Sequence, residues 1–258
     1  MAIAQRQGST LLLTADHVLF DAERFRIRTA EGVAHAARLV GRDRASDLAL
    51  LDSDAALPPL AMGPPPPLGA PVCALGNAFG LGLSVSCGVV SARGRAGVGF
   101  NRIEDFLQSD AAINPGMSGG ALVDSEGRLV GLISAIFSKG PDGDIGVNFA
   151  VSTGLIAAAL PDLETGGPVA WPEVDMRLRG PLPEQEGPLG PEVFWLPPAG
   201  AAPAAGLQRG DRLLRAAGRR LQNAGDWRTA VALSKSGEAI PLEIWRAGSF
   251  KAATLTIP

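Results

Sequence analysis

Long hydrophobic runs are missing from this 258-residue sequence. No stretch of eighteen or more apolar residues occurs, so no membrane-spanning helix is expected. The opening MAIAQRQG lacks the long apolar core of a secretory leader, and the chain as written carries no export address. Cysteine is scarce. Cys73 and Cys87 alone cannot build a disulfide framework or a structural zinc site. They fall in neighbouring strand-like runs where one bridge is feasible, but two buried small apolar side chains are the simpler expectation. A basic block is also absent. The 23 Lys and Arg are interspersed with 26 Asp and Glu, for a net charge of −3. That balance argues against nucleic acid and against an anionic membrane surface as partners. No His, Cys and carboxylate cluster has ligand spacing, so neither a metal nor a cofactor is expected.

What is present is enough apolar residue, 46%, to bury a substantial core, in a length comfortable for two domains. From residue 1 to about 150, short apolar runs alternate with Gly, Pro, Asp and Ser. Strands are expected at Thr10–Leu13, Arg24–Arg28, Ala34–Val40, Leu48–Leu51, Val72–Leu75, Ser84–Ser91, Phe106–Gln108, Ala121–Val123, Leu129–Ile133 and Gly146–Val151. Many short strands with turn signals between them predict a mainly β sandwich or barrel. Pro64–Pro67 cannot join a central strand and fits a connector. Ser152–Leu160 reads as a helix with Ser152 as N-cap. Pro161–Pro191 is dense in Pro and Gly, a linker grading into a new domain. The tail then shows strands at Val193–Leu196, Arg212–Ala216, Pro241–Arg246 and Ala252–Ile257, and a helix at Asp226–Ser234. That is a compact α+β module.

One glycine-rich string carries chemistry. Asn114–Gly120 reads NPGMSGG, and Ser118 within it admits three readings. G-M-S-G-G satisfies the G-x-S-x-G elbow of an α/β-hydrolase. It also fits the nucleophile turn of a two-barrel serine protease, and an ordinary glycine turn. A serine hydroxyl needs a base to remove its proton and a third group to orient that base. The hydrolase order is Ser, acid, His, yet both histidines, His17 and His35, precede Ser118. The elbow reading fails.

The order His, Asp, Ser is available. His17 stands just past the apolar strand in LLLTADHV. His35, in GVAHAA, has no acid or turn beside it and reads as structural. Asp47, in ASDLALL, leads straight into a buried apolar strand, which costs desolvation unless the carboxylate has a partner. A histidine N–H would be one. Asp21, Glu23, Asp124 and Glu126 sit in polar turns and read as solvated. Gly116 and Ser118 are candidates to supply amides that meet charge developing on a substrate carbonyl, since glycine permits the tight turn and close approach.

These segments carry a resemblance. TADHV around His17, SDLALL around Asp47 and DFLQSDAAINPGMSGGALVDSEGRLVGLISA around Ser118 resemble the HtrA/Deg family of trypsin-like serine proteases. ALGNAFG (Ala74–Gly80), GVVSARG (Gly88–Gly94) and PDGDIGVNFAVS (Pro141–Ser152) are similar to its flanking segments. The resemblance implies a chymotrypsin-like double β-barrel with His17 as general base, Asp47 as its orienter, Ser118 as nucleophile, and Gly116 and Ser118 as the oxyanion hole. It places Ala112, Ile113, Ile133, Ser134 and Ala135 near the substrate pocket, which is apolar and implies small or aliphatic residues before the cleaved bond. Met117 stands where the family usually has Asn, so altered loop contacts are expected, not lost chemistry.

Residues 187–258 resemble a PDZ domain through AAGLQRGDRLL (Ala204–Leu214), NAGDWRTA (Asn223–Ala230) and LEIWRAG (Leu242–Gly248). The boundaries expected are 1–160 for the protease domain, 161–186 for the linker and the start of the next domain, and 187–258 for the PDZ-like domain. PDZ domains add a peptide as an extra strand and capture its terminal carboxylate on backbone amides. The nearest match to the capturing loop is VAWPEV (Val169–Val174), and the implied peptide-binding residues are Ala170, Trp171, Val174 and Trp227. Pro172 removes an N–H donor there, and Glu173 would repel a carboxylate.

The family carries a first strand before the point where this sequence starts. The expectation is that barrel one lacks a strand, that the natural product begins upstream, and that an export signal lies in the same segment. The resemblance places the family in the bacterial cell envelope or periplasm and is compatible with an oligomer. Two functions stay open. One is an endopeptidase cutting unfolded or misfolded polypeptides. The other is a catalytically impaired peptide-binding or chaperone-like protein that retains the fold, because misplacing a catalytic group by about 1 Å can cost on the order of 100-fold in rate.

Overall fold

The computed structural model of the protein describes residues 1–136, 146–181 and 187–258. The chain divides into two compact units. The first comprises Met1–Arg95 and Asp105–Val169, the second Ala96–Glu104 and Ala170–Pro258.

In the first unit, β1 (Ala2–Arg6), β2 (Ser9–Ala15), β3 (Phe25–Arg28), β4 (Ala34–Asp43) and β5 (Leu48–Ser53) form an open five-stranded sheet in the order β1-β2-β5-β4-β3. β5 is buried along its whole length, which is why it opens on the continuous apolar run LALL instead of an alternation, before the buried polar pair Asp52 and Ser53. Its partner β2 sets Leu12 opposite Leu51 and Leu13 opposite Leu50. Leu12, Leu51, Ala49 and Leu19 form one core cluster with Ala2 from β1. β1 was not among the strands read from residue periodicity.

The strands β6 (Pro71–Gly76), β7 (Ser84–Arg95), β8 (Phe106–Ser109), β9 (Ala121–Asp124), β10 (Leu129–Ile136) and β11 (Asn148–Ser152) close into a barrel in the order β10-β11-β8-β7-β6-β9. Closure leaves no exposed strand edge, and Val72, Ala74, Val90, Leu107, Leu122, Val130 and Ile133 fill the interior. The β6–β7 register sets Cys73 directly opposite Cys87, and their sulfurs are joined at 2.06 Å. The expectation of two buried thiols is therefore corrected to one cross-strand disulfide, with Cys87 on the exposed face of β7. Hairpin register, which composition does not reveal, is the cause.

α1 (Thr153–Glu164) begins as expected, with the Ser152 hydroxyl accepting from Leu155 N. It runs past Leu160 through Pro161, because Leu163 completes the buried stripe of Leu155, Ile156 and Ala159. Gly41 on β4 makes this packing feasible: a Cβ there would lie 2.2 Å from the Leu163 carbonyl oxygen.

The second unit holds β12 (Arg177–Arg179), β13 (Glu192–Trp195), α2 (Ala201–Ala204), β14 (Arg212–Ala216), β15 (Arg219–Arg220), α3 (Ala224–Ala232), β16 (Ala239–Arg246) and β17 (Ser249–Thr256). Its sheet order is β12-β13-β14-β16-β17, with β15 pairing β14. β12 lies within the stretch read as a linker and the start of the next domain, where no strand was expected. It forms because Leu178 pairs in register with Val193. The core gathers Val193, Leu213, Leu221, Trp227, Val231, Leu242 and Leu255. α3 opens with a reciprocal capping box between Asn223 and Asp226. Arg246 grips the fully buried Asp211 through two hydrogen bonds of 2.5 and 2.6 Å.

Ala96–Glu104, which links β7 to β8 in sequence, packs as part of this unit. The buried Glu104 carboxylate folds the segment by accepting from the amides of Val98, Gly99, Phe100 and Asn101 at 2.7–3.0 Å. Asn223 Nδ2 donates to Ala96 O at 3.0 Å, and Thr229 Oγ1 donates to Glu104 O. No helix among the described residues is long and apolar enough to cross a membrane.

Candidate active site

The site lies in the first unit. β2 ends at Ala15 and turns into a short 3-10 helix, Asp16–Leu19, that presents His17. Asp16 anchors this turn from below. It is 4% exposed and receives Arg42 Nε at 2.6 Å and Nη2 at 3.0 Å, the two-pronged geometry that suits a guanidinium.

Asp47 sits one residue before β5, at the end of a turn in which Ser46 donates its amide and hydroxyl to Asp43 Oδ2 at 3.0 and 2.6 Å. Its φ of +60° lies in the left-handed region, which Asp tolerates better than most residues. The carboxylate is 6% exposed, and three donors converge on it. His17 N reaches Oδ1 at 2.9 Å, His17 Nδ1 reaches Oδ2 at 2.8 Å, and Ser134 Oγ donates to Oδ2 at 2.7 Å. The desolvation of this acid is thus compensated by hydrogen bonds. The Asp47 hydrogen bond raises the His17 pKa above its ordinary value of 6.5 against the opposing effect of partial burial.

The Ser118 turn is shaped by backbone approach. Gly116 has φ +96°, and a Cβ there would lie 2.5 Å from Asn77 O. At Gly119, with φ +80°, a Cβ would lie 2.2 Å from Thr14 Oγ1, so this glycine lets the turn come against the end of β2. Gly119 N donates to Ile133 O at 2.7 Å and Ile133 N to Gly120 O at 2.9 Å, fastening the turn to β10. Phe79 N donates to Pro115 O at 2.7 Å. Ser118 Oγ donates to Ser134 O at 3.3 Å, so in this structure its bond goes to β10 and not to His17. Hydrogen bonds between reacting groups commonly tighten only once substrate is bound. Met117 is buried at 2% exposure, packed on Gly76, where a Cβ would lie 2.9 Å from its own Cβ.

The structure thus brings His17 and Asp47 into direct contact, with Ser118 joined to Asp47 through the single residue Ser134. Gly116 lies in the Ser118 turn. The pocket expectations divide. Ala112 is exposed, whereas Ile113 and Ile133 are packed in the barrel core. Ser134 commits its hydroxyl to Asp47. Ala135 belongs to β10, and its side chain lies outside the described part of the structure. Ser134, expected near the substrate pocket, instead supports Asp47, a contact that the sequence reading did not anticipate. His35 is not without an acid: Asp54 Oδ1 lies 3.2 Å from its Nδ1, across the sheet. Asp124 is not simply solvated, since it accepts from the Arg128 amide and side chain at 2.9 and 2.8 Å. Among the described residues, no group of three or more His, Cys, Asp or Glu is arranged to hold a metal ion.

In the second unit, Val174 and Trp227 line a groove of about 400 Å³, together with Met176, Leu178 and Phe194. Ala170 and Trp171 are not part of that lining.

Comparison with known proteins agrees with this geometry. The family described as the trypsin-like peptidase domain matches residues 2–132. The periplasmic pH-dependent serine endoprotease DegQ of Escherichia coli K12 is 32% identical over 92% of this chain and 54% of its own length. The serine endoprotease DegS of the same organism is 34% identical over 91% of this chain and 70% of its own. A solved structure of the HtrA-type protease AlgW with a tripeptide covers 99% of this chain and 87% of that one, at 34% identity and a TM-score of 0.74. The chain spans about half the length of DegQ, 54%. With the family match covering half of the chain and the HtrA-type relatives covering nearly all of it, this chain belongs to the trypsin-like peptidase family, in its HtrA/Deg group.

Proposed function

We propose that the protein is a serine endopeptidase that cleaves unfolded polypeptides, with His17, Asp47 and Ser118 as its catalytic residues. The observation that carries the reading is the His17 Nδ1 to Asp47 Oδ2 contact of 2.8 Å, which fixes the ring with Nδ1 as donor. Nε2 is then the basic nitrogen. Substrate binding rotates Ser118 Oγ away from Ser134 O toward Nε2, which takes the hydroxyl proton as oxygen attacks the scissile carbonyl carbon. The carbonyl π electrons move onto oxygen, where the Gly116 and Ser118 amides receive the charge. Imidazolium at His17, stabilised by Asp47, then gives the proton to the departing amine as the C–N bond breaks. Water repeats the sequence on the acyl-enzyme.

Small or aliphatic side chains are the expected preference before the cleaved bond, because the residues flanking the turn, Ala112 and Ile113, bring no charge. The second unit serves as a PDZ-like peptide-binding module through its groove. Several relatives are named periplasmic, and a disulfide persists in oxidising compartments, so an extracytoplasmic location follows for this chain. Mass mapping of native protein under non-reducing conditions would return Cys73 and Cys87 as free thiols if that placement were wrong.

The activity test is labelling with a fluorophosphonate, using Ser118→Ala as control. Labelling that depends on Ser118 supports the enzyme. The competing reading, a peptide-binding protein with a silent site, draws on the Ser118 bond to Ser134 O. Folded protein that stays unlabelled, with or without unfolded substrate, would establish it instead.

A further inference from the structure

The outer face of β3 carries charge with nothing to balance it. FRIR alternates: Phe25 and Ile27 pack against the core of Ala2, Leu12, Leu19, Ala49 and Leu51, while Arg26 and Arg28 are exposed. Arg24, one residue before the strand, is exposed as well. β3 is the outermost strand of its sheet, so among the described strands only β4 lies beside it. The β4 residues opposite Arg26 and Arg28 are Ala36 and Ala34, both exposed and neither able to neutralise a guanidinium. That cross-strand position is where an opposite charge would stand if the row were paired within the fold.

The lack of partners is selective. Acids outnumber bases in the chain, 26 to 23. Arg6, Arg38, Arg42 and Arg44, in the same unit, each reach a carboxylate at 2.6–3.5 Å. The side chains of Arg24, Arg26 and Arg28 make no ion pair among the described residues.

Outward residues of a strand repeat at about 7 Å, so Arg26 and Arg28 form a rail with the same period as a second extended chain. The floor beside the rail is low, because the side chains of Ala34 and Ala36 are single methyls. The positive strip is also narrow. Asp21 and Glu23 precede it, Glu31 stands in the turn after it, and Asp54 lines a recess of about 360 Å³ with Ala36 on the sheet side. A bilayer or a nucleic acid spreads its phosphates over a wider footprint and would meet these acids. An extended polypeptide one strand wide would not.

We infer that the outer face of β3 binds an extended polypeptide segment with Asp or Glu at every second residue. Arg26 and Arg28 receive its carboxylates in the two-pronged geometry of a guanidinium, and Arg24 extends the row. The surface gives the protein a hold on acidic chains that the uncharged residues flanking the Ser118 turn do not supply. The inference does not rest on Ser118 acting as a nucleophile.

The test measures fluorescence anisotropy on the full chain carrying Ser118→Ala, which prevents cleavage. Three labelled, C-terminally amidated peptides are used: GEVEVEVG, its neutral counterpart GQVQVQVG, and the blocked arrangement GEEEVVVG. GEVEVEVG is expected to bind about tenfold more tightly than GQVQVQVG, the combined scale of a few exposed ion pairs that are individually weak. It should also bind more tightly than GEEEVVVG, and its advantage should shrink between about 50 and 300 mM salt. Arg26→Gln with Arg28→Gln should abolish the preference for GEVEVEVG over GQVQVQVG. Arg209→Gln with Arg220→Gln, which removes the same charge from exposed positions of the second unit, should leave the preference unchanged. All four side chains are exposed, and circular dichroism checks that the fold is retained. Equal binding of acidic and neutral peptides, a preference that survives the loss of Arg26 and Arg28, or no binding overturns the inference. Equal binding by GEEEVVVG reduces the surface to bulk charge and overturns the extended register. Phosphatidylglycerol vesicles or a twelve-nucleotide oligothymidylate that bind more tightly through the same arginines reassign the row to phosphate and overturn it as a peptide site.

Discussion

The hydroxyl of Ser134 donates a 2.7 Å hydrogen bond to Oδ2 of Asp47, between residues 87 positions apart in the chain. The same residue accepts the Ser118 hydroxyl on its carbonyl. One position on β10 therefore holds both the acid and the serine. Ser134→Ala should leave the fold intact, because a buried hydroxyl is exchanged for a methyl, and should weaken the hold on Asp47. A fall in kcat of about tenfold or more with KM nearly unchanged is expected, the scale of one hydrogen bond to a charged group. Hydrolysis of a fluorogenic peptide checks this, and an unchanged kcat would show that Ser134 is a bystander.

The pH profile follows from His17. Asp47 raises its pKa above 6.5, and the general-base role proposed for His17 requires the neutral ring. The acid limb of kcat/KM is therefore expected to have its inflection above pH 6.5, with activity rising towards alkaline pH. Asp47→Asn removes the principal cause and should move the inflection down while cutting kcat by up to about 10⁴-fold. The stability linkage runs the opposite way. A raised folded-state pKa contributes stability in full below the unfolded value of about 6.5, and this is lost as pH rises through the folded value. Urea titrations of Ser118→Ala at pH 5.5 and 8.5, against a variant also lacking His17, would separate this contribution from other titrations.

Gly119→Ala tests the approach of the serine turn to β2. The substitution combines a φ of +80° with a Cβ placed 2.2 Å from Thr14 Oγ1. A cost of about 2 kcal/mol or more is expected, together with loss of fluorophosphonate labelling. Thr14→Ala in the same chain should recover part of the stability, because it removes the atom that the new methyl meets first. Wild-type stability in Gly119→Ala alone would show that the turn has room to relax.

Reducing the Cys73–Cys87 bridge should destabilise the barrel without unfolding it at room temperature. The sequence separation of 14 sets the entropic effect near 3 kcal/mol, as an upper scale for a hairpin whose strands already pair. Chemical denaturation with and without dithiothreitol measures it. Cys73→Ala with Cys87→Ala should reproduce the reduced protein.

The residues proposed to carry the chemistry were more legible in the sequence than the contacts that organise them. NPGMSGG, the histidine past an apolar strand and the acid before one each carry a local signature, and those signatures follow from local backbone demands. The contact of Ser134 with Asp47 had none, because it is made only through packing between segments distant in sequence. Cys73 and Cys87 lay in adjacent strand-like runs, yet their pairing depended on a register that one shifted residue would have undone. β12 was hidden inside a Pro- and Gly-rich stretch, since its pairing with β13 shows no periodicity of its own. Ala96–Glu104 looked like an ordinary connection between strands. Its packing with the second unit depends on a single carboxylate collecting four amides.

That last feature sets limits on how the protein can be taken apart. A fragment beginning at Ala170 would contain every strand of the second sheet and still be missing nine residues of its own compact unit. Asn223 and Thr229 would lose the carbonyls of Ala96 and Glu104 to which they donate. The tail is therefore not a cassette that can be exchanged at a linker. A homologous tail transplanted alone would meet a foreign segment at positions 96–104, and a functional chimera must inherit the two stretches as a matched pair.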